Sequence, residues 1–206
     1  MKILYYSGWS LTRLVSKIVF RIKVSGREHF PKSGGFILAT NHRSYFDPLL
    51  VGSWAPRQVY FLAKQELFKN KFFGRIITAT NALPVRRGTI DRNALKLCLD
   101  AIDGGDGLTI FPEGTRAKGA DFLEPKPGVA MIATQAKVPI VPGYVHGSNR
   151  LKDCFWGRDR LRIRFGKPIL PEDIESSAVD KEGYIKLTQL VMERIEELKQ
   201  QTLGAQ

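Results

Sequence analysis

The stretch GGFILATNHRSYFDP (34–48) decides the fold class of this chain. The run FILAT after the two glycines is almost wholly apolar, which predicts a buried strand that ends near Thr40. Asp47 followed by Pro48 is typical of a helix N-cap and the first helical residue, so we expect a helix from Pro48 onwards. A buried strand followed closely by a helix is the unit from which parallel sheets are built.

The rest of the chain repeats this alternation. Further strands are predicted at 58–64, 82–87, 107–111, 138–145 and 161–169, the last of them half-exposed because apolar and basic residues alternate in it. Helices are predicted at 89–105, 127–137 and about 180–201. This pattern predicts an α/β fold, a single domain with a mostly parallel central sheet flanked by helices.

The composition is that of a globular protein with a strongly basic surface. The 206 residues include 32 Lys and Arg against 20 Asp and Glu, a net charge of +12. Such a surface suits nucleic acid, an anionic membrane or phosphorylated substrates. The chain has no recognisable nucleic-acid-binding motif and no aromatic residues interleaved with the charges, which disfavours nucleic acid as the partner.

Cysteine and histidine usage excludes two further classes of protein. The two cysteines, Cys98 and Cys154, are too few for a disulfide framework and indicate a reducing compartment. The three histidines, His29, His42 and His146, do not have the spacing of metal ligands, so a metal hydrolase is disfavoured.

The first 24 residues contain basic side chains and no acidic ones. Arg13, Lys17 and Arg21 recur every four residues, which predicts a shared basic face on a helix. The opposite side is filled by apolar residues, namely Leu11, Leu14, Val15, Ile18, Val19 and Ile22. We expect 1–24 to be an N-terminal amphipathic membrane-binding segment, lying in the headgroup region, and 25–206 to be the α/β domain. The alternative is a helix packed on that domain with its basic face in water.

His42 and Asp47 are candidates for a base and the group that orients it. Five positions apart, they would point in different directions on a regular helix or strand, so contact requires a turn that doubles back. The predicted change from strand to helix favours such a turn. The simpler alternative is an Asp N-cap with an unrelated histidine nearby.

Two further blocks follow predicted strands, where ligand sites gather in open α/β sheets. FPEGTR (111–116) combines the Glu113 carboxylate with the Arg116 guanidinium, which suits phosphate or a polyol, although a surface turn with a local ion pair has the same composition. LPVRRG (83–88) brings adjacent arginines to another strand end. Lys126 stands just before a predicted helix, where anions bind.

Taken together, these motifs resemble a known family. NHRSYFD, ALPVRRG, FPEGTR and VPIVPGYV, in this order, resemble the four sequence blocks of the glycerolipid acyltransferases, in particular the bacterial 1-acyl-glycerol-3-phosphate acyltransferases. The similarity extends from about residue 26 to 170, and FPEGTR matches in full. One departure is Ala117, since the third block often continues with serine.

The resemblance implies an O-acyltransferase that uses His42 as general base, with Asp47 fixing the imidazole tautomer. It implies transfer of an acyl chain from an acyl thioester to the 2-hydroxyl of 1-acyl-sn-glycerol 3-phosphate, forming phosphatidic acid. The acceptor-binding residues implied by the family blocks and the basic pattern are Arg86, Glu113, Gly114, Thr115, Arg116 and Lys126. VPIVPGYV is expected to be an acyl-binding wall or simply a core strand.

The resemblance also sets expectations for partners and location. The donor is acyl-CoA or acyl-carrier protein, and neither a metal nor a bound cofactor is implied. We expect peripheral or monotopic attachment at the cytoplasmic face of the cell membrane, on an anionic lipid surface. Two alternatives remain: the same transfer to another lysophospholipid or lipid alcohol, and a non-catalytic lipid-binding module.

Overall fold

The central sheet separates two layers of helices. The computed structural model describes residues 2–86, 91–119, 121–177 and 180–204. Its α-helices are α1 (Lys2–Ile18), α2 (Asp47–Trp54), α3 (Lys71–Ala79), α4 (Arg92–Asp103), α5 (Gly128–Ala136), α6 (Leu151–Phe155), α7 (Pro171–Ser177) and α8 (Lys181–Leu203). Its strands are β1 (Lys23–Ser25), β2 (Phe36–Thr40), β3 (Val59–Lys64), β4 (Ala82–Val85), β5 (Gly107–Ile110), β6 (Ile140–His146) and β7 (Arg162–Phe165).

The strands form one sheet in the order β1-β7-β6-β2-β5-β3-β4. The five strands from β6 to β4 are mutually parallel, whereas β7 runs antiparallel to β6 and β1 runs parallel to β7. The predicted α/β fold with a mostly parallel sheet is therefore confirmed.

Strand β2 lies at the centre of the sheet, and all five of its residues are buried. Ile37 and Ala39 pack into the core formed with α4, α5, α7 and α8, while Phe36 and Leu38 pack into the core on the α2 side. Burial on both faces explains why this strand is a continuous apolar run instead of an alternating one.

The carboxyl ends of the parallel strands meet at one edge of the sheet. The segments that follow β2, β5 and β4 therefore emerge at this edge, the first two as neighbours and the third two strands beyond β5. They contain the blocks with His42, Glu113 and Arg86. In an open α/β sheet this edge is where ligand crevices form.

Helix α1 packs against α2 by a face that includes Trp9 and Arg13. The Trp9 indole N–H donates to Gly52 O at 2.7 Å, and Arg13 Nε donates to Ser53 O at 2.6 Å. Both carbonyls belong to the last turn of α2 and have no acceptor role inside that helix. The Arg13 guanidinium also lies 3.6 Å from the centroid of the Trp9 ring.

The prediction that Arg13 belongs to an exposed basic face is therefore wrong. Arg13 is directed into the domain because its guanidinium donates to a C-terminal carbonyl of α2 and makes a cation–π contact with the ring of Trp9. Arg21 does not extend the predicted face either, because α1 ends at Ile18. Among the described residues, no helix is both long enough and apolar enough to cross a bilayer.

Candidate active site

The turn between β2 and α2 brings His42 and Asp47 into contact. His42 Nδ1 lies 2.9 Å from Asp47 Oδ2. The Asp47 side chain is fully buried, whereas 11% of the His42 side-chain surface remains exposed. The turn thus doubles back as contact requires, and one part of the imidazole remains open to solvent.

The Asp47 carboxylate does not cap α2 as the sequence predicts. Asp47 is the first residue of the helix, and the N-cap position is held by Phe46 without a side-chain hydrogen bond. Asp47 Oδ2 instead accepts from the backbone N–H groups of Arg43 and Ser44, both at 2.6 Å. The N-cap prediction is wrong because the carboxylate turns back to the preceding loop instead of forward to the helix.

These contacts determine the tautomer of His42. Asp47 Oδ2 already accepts two backbone N–H groups, and an ionised carboxylate has no hydrogen to donate. The hydrogen in the His42–Asp47 bond must therefore be on Nδ1 of the imidazole. Nε2 then keeps its lone pair and is the atom that accepts a proton.

Glu113 ties the loop after β5 to His42. The Glu113 side chain is buried, its Oε1 accepts the backbone N–H of His42 at 2.8 Å, and its Oε2 accepts that of Leu123 at 2.9 Å. Ala117 N–H donates to His42 O at 2.9 Å in return. Glu113 was expected at the acceptor, but these bonds give it an internal role of holding the two loops together.

Two residues inside the quoted blocks support the site and were not singled out from sequence. The Phe111 ring stacks on the His42 imidazole with centroids 4.1 Å apart, which restricts the rotation of that ring. The Asn41 side chain donates to Val145 O and accepts Val145 N–H, which anchors the end of β2 to β6. A polar amide directly after a buried strand was a signal for this anchoring role.

Arg116 and Lys126 supply positive charge near His42 and Asp47. The Arg116 guanidinium lies 3.4 Å from the centroid of the exposed Tyr45 ring, two residues before Asp47. Gly114 has a φ of 66°, and a Cβ there would lie 3.0 Å from Lys126 Cδ. The bare glycine therefore allows the lysine side chain to lie across the FPEGTR loop. Thr115 is exposed on the same loop.

Arg86 follows β4 at the same edge, three strands away from β2. Its backbone N–H donates to Asp91, the N-cap of α4. Among the described residues, no hydrogen bond joins Arg86 to the His42 loop or to the FPEGTR loop. Its neighbour Arg87 lies outside the described residues.

The described geometry is that of a histidine whose Nδ1 contacts a buried carboxylate, with cationic side chains on the neighbouring loop. The family model described as "Acyltransferase" matches residues 21–146. The chain belongs to the acyltransferase family. The match includes β2, the His42–Asp47 turn, the FPEGTR loop and β6, which are the elements that build this site.

Curated relatives of this acyltransferase have similar descriptions. It is 30% identical over 179 residues to a 1-acyl-sn-glycerol-3-phosphate acyltransferase of Bacillus subtilis, with 86% of this chain and 88% of that protein covered. It is 32% identical over 169 residues to the Streptococcus pneumoniae protein of the same description, which covers 81% of this chain and 61% of that protein.

The fold of this acyltransferase is also found in a solved structure. The crystal structure of the 1-acyl-sn-glycerophosphate (LPA) acyltransferase PlsC from Thermotoga maritima matches with a TM-score of 0.73 and 26% identity. The match covers 95% of this chain and 79% of that one.

Two other features of the acyltransferase lie within its core. Burial raises the pKa of the Cys98 thiol to about 12 and that of Cys154 to about 11, so neither supplies a thiolate for an acyl-cysteine intermediate.

The VPIVPGYV block forms β6 between β2 and β7, where Ile140 and Val141 are fully buried. This block therefore serves as a core strand.

Proposed function

We propose that this acyltransferase transfers an acyl chain from an acyl thioester to the 2-hydroxyl of 1-acyl-sn-glycerol 3-phosphate, forming phosphatidic acid. The observation that carries the proposal is the contact between His42 Nδ1 and the buried carboxylate of Asp47, beside Arg116 and Lys126. The descriptions of the relatives support the choice of acceptor.

In the proposed reaction, His42 Nε2 takes the proton of the acceptor hydroxyl as its oxygen attacks the thioester carbonyl. Asp47 holds Nδ1–H and stabilises the imidazolium that forms. Collapse of the tetrahedral intermediate expels the thiolate, which receives the proton from His42. The transfer is direct and needs no bound cofactor, since the reacting bonds are supplied by the two substrates.

The acceptor phosphate is proposed to bind the cations at the same edge of the sheet. Arg116 is pre-positioned because its guanidinium lies 3.4 Å from the centroid of the Tyr45 ring, a cation–π contact. Lys126 lies over Gly114 on the same loop. Arg86, three strands from β2 at the same edge, is the proposed outer contact, with its long side chain extending along the crevice towards the phosphate.

Replacement of Arg116 by alanine is expected to raise the KM for the acceptor by about 10–100-fold with little change in kcat, because a charge-assisted hydrogen bond to phosphate is lost. Initial rates at varied acceptor concentration measure this effect. Arg194→Ala, which removes an exposed arginine paired with Glu197 on α8, is the matched control. An unchanged acceptor KM in the Arg116 variant would remove Arg116 from the phosphate site.

The choice of acceptor is tested by product analysis. Purified protein is given a labelled acyl thioester with 1-acyl-glycerol 3-phosphate, 1-acyl-glycerophosphocholine or glycerol 3-phosphate, and the lipid products are identified by mass spectrometry. Phosphatidic acid as the main product is the expected result. A product from another acceptor would keep the chemistry and change the substrate, and no product with any of them would favour a lipid-binding module.

Apolar side chains on α1 and α3 support attachment to a membrane surface. Leu11, Leu14 and Ile18 of α1 are 62%, 56% and 67% exposed, and Phe72 of α3 is 77% exposed. The two helices are in contact on the same face of the sheet, and Lys17 and Arg75 are exposed on them. Exposed apolar patches flanked by basic residues are typical of interfacial membrane contacts. We propose that this outer apolar surface holds the enzyme at the cytoplasmic face of the membrane.

Charges placed on this surface should weaken lipid binding. The double variant Ile18→Asp/Phe72→Asp is expected to lower the affinity for vesicles of equal parts phosphatidylglycerol and phosphatidylcholine by at least about 10-fold, because each side chain loses its apolar burial. Co-sedimentation with vesicles measures the affinity. The control Leu97→Asp/Ile185→Asp alters exposed residues of α4 and α8 on the opposite face. Equal losses in both variants would exclude a specific surface on α1 and α3.

A further inference from the structure

A strongly basic groove of about 740 Å³ lies at the edge of the sheet formed by β1 and β7. It is lined by both strands, by the segment just before β7 and by Thr202 in the last turn of α8. Its cationic residues are Lys23, Arg158, Arg160, Arg162 and Arg164, and its one acidic residue is Asp159. The proposed transfer reaction does not use this groove.

Most of this positive charge is not neutralised within the described part of the chain. Asp159 is already bound to His146 at 2.9 Å and to Arg150 at 3.6 Å. Arg162 donates to Thr202 O at 2.8 Å. The four remaining cations form no ion pair with a described carboxylate, and Arg164 Nε is buried without a hydrogen-bond partner. A guanidinium nitrogen in that position is stabilised by an acceptor from solution, and a bound anion supplies the strongest one.

The groove begins close to the active site. Lys23 pairs in register with Arg162, and Arg162 pairs with His146 at the carboxyl end of β6. Asn41, the neighbour of His42, is bonded to Val145 on that same strand. Strand β7 is two positions from β2 in the sheet, a lateral spacing of roughly 10 Å, and His42 follows β2 by two residues.

The groove opens on the face of the sheet opposite to the outer apolar surface. Arg162 contacts α8, and Tyr144, the register partner of Arg164, packs in the core that α8 forms. Helices α1 and α3 pack on the other face, as described above. A membrane that contacts α1 and α3 therefore leaves the groove open to water, and its ligand is expected to arrive from solution.

On the basis of the proposed transfer reaction, we propose that this basic groove docks the acidic carrier protein that presents the acyl group as a phosphopantetheine thioester. The row of cations complements an acidic protein surface, and the docking position is within reach of His42 for an extended arm. Coenzyme A fits less well, because none of the described residues that line the groove is an aromatic that could stack on an adenine ring.

Charge reversal tests the docking site. Arg158 and Arg160 are exposed, and their side chains make no hydrogen bond within the described residues, so the variant Arg158→Glu/Arg160→Glu should fold normally. Its kcat/KM for acyl-carrier protein divided by that for acyl-CoA should fall at least about 10-fold relative to wild type, because complementary charge is replaced by repulsion. Lys32→Glu/Lys96→Glu makes the same change in net charge at exposed positions away from the groove and should leave the ratio unchanged.

Binding is measured separately, so that the test does not depend on turnover. Fluorescence anisotropy of labelled holo-carrier protein should show binding to wild type that weakens with added salt and is lost in the groove variant. Carrier-protein binding equal in both proteins, or absent from wild type, would overturn the proposal. An equal loss with both donors would overturn the proposal and assign the groove to the phosphopantetheine phosphate that both donors share. A loss confined to acyl-CoA would assign it to nucleotide phosphates, and a loss of vesicle binding would assign it to lipid. Absence of transfer by wild type, with carrier-protein binding intact, would overturn the proposed function alone.

Discussion

Replacement of His42 by alanine is expected to lower kcat by about 10²–10⁴-fold, the usual contribution of a general base. His42 Nε2 is the proposed proton acceptor that the Asp47 contact leaves free, and burial raises the pKa of both cysteine thiols of the chain. The acceptor KM should change little, since phosphate binding is assigned to Arg116 and Lys126. Steady-state kinetics with a saturating thioester donor measure both constants.

The loss should be specific to this histidine. His29, whose Nδ1 lies 3.1 Å from Phe165 O of β7, provides the matched control. We expect His29→Ala to keep the wild-type kcat, and circular dichroism should show folded protein for both variants. A His42→Ala protein that is folded and turns over at the wild-type rate would contradict the assigned base.

The second large effect is expected for Asp47→Asn, which should lower kcat by about 10²–10³-fold with the acceptor KM unchanged. The amide oxygen can still accept the backbone N–H groups of Arg43 and Ser44, so the turn should keep its shape. The same oxygen can still accept Nδ1–H of His42, but the amide no longer carries the charge that stabilises the imidazolium. Kinetics and thermal unfolding of the same protein separate catalysis from stability.

A capping aspartate elsewhere in the chain gives the control for this variant. Asp180 accepts the Gly183 N–H at the start of α8, far along the chain from the active-site turn. Asp180→Asn should lower the melting temperature slightly and leave kcat unchanged. If Asp47→Asn behaved in the same way, Asp47 would be a structural residue only.

The fold was largely predictable because its central strands are buried on both faces. Continuous apolar runs such as 36–40 and 107–110 are best buried as central strands that are covered on both faces. The helices between the strands have clear amphipathic patterns. Helix α3 was not predicted, since Phe72, Phe73 and Ile76 are exposed and do not give the pattern of a core-facing stripe. Exposed apolar residues obscure the periodicity on which such predictions depend.

The site was predictable in its parts and less so in its contacts. Strand ends placed His42 and the FPEGTR loop at one edge, but local sequence could not distinguish an N-cap from a carboxylate that turns back to His42. Glu113 and Arg13 make contacts that the sequence did not predict, for a related reason. Each satisfies backbone groups of a segment distant in sequence, namely the His42 loop and the end of α2. Such long-range partners leave no local pattern.

The most direct test of the central claim is thiol release from an acyl thioester in detergent micelles, with and without 1-acyl-glycerol 3-phosphate, for wild type and His42→Ala side by side. Acyl-CoA and acyl-carrier protein are both supplied as donors. We expect release by wild type that depends on the acceptor and nearly disappears in the variant. Equal release by both proteins, or release that ignores the acceptor, would contradict a histidine-catalysed transfer to this lipid.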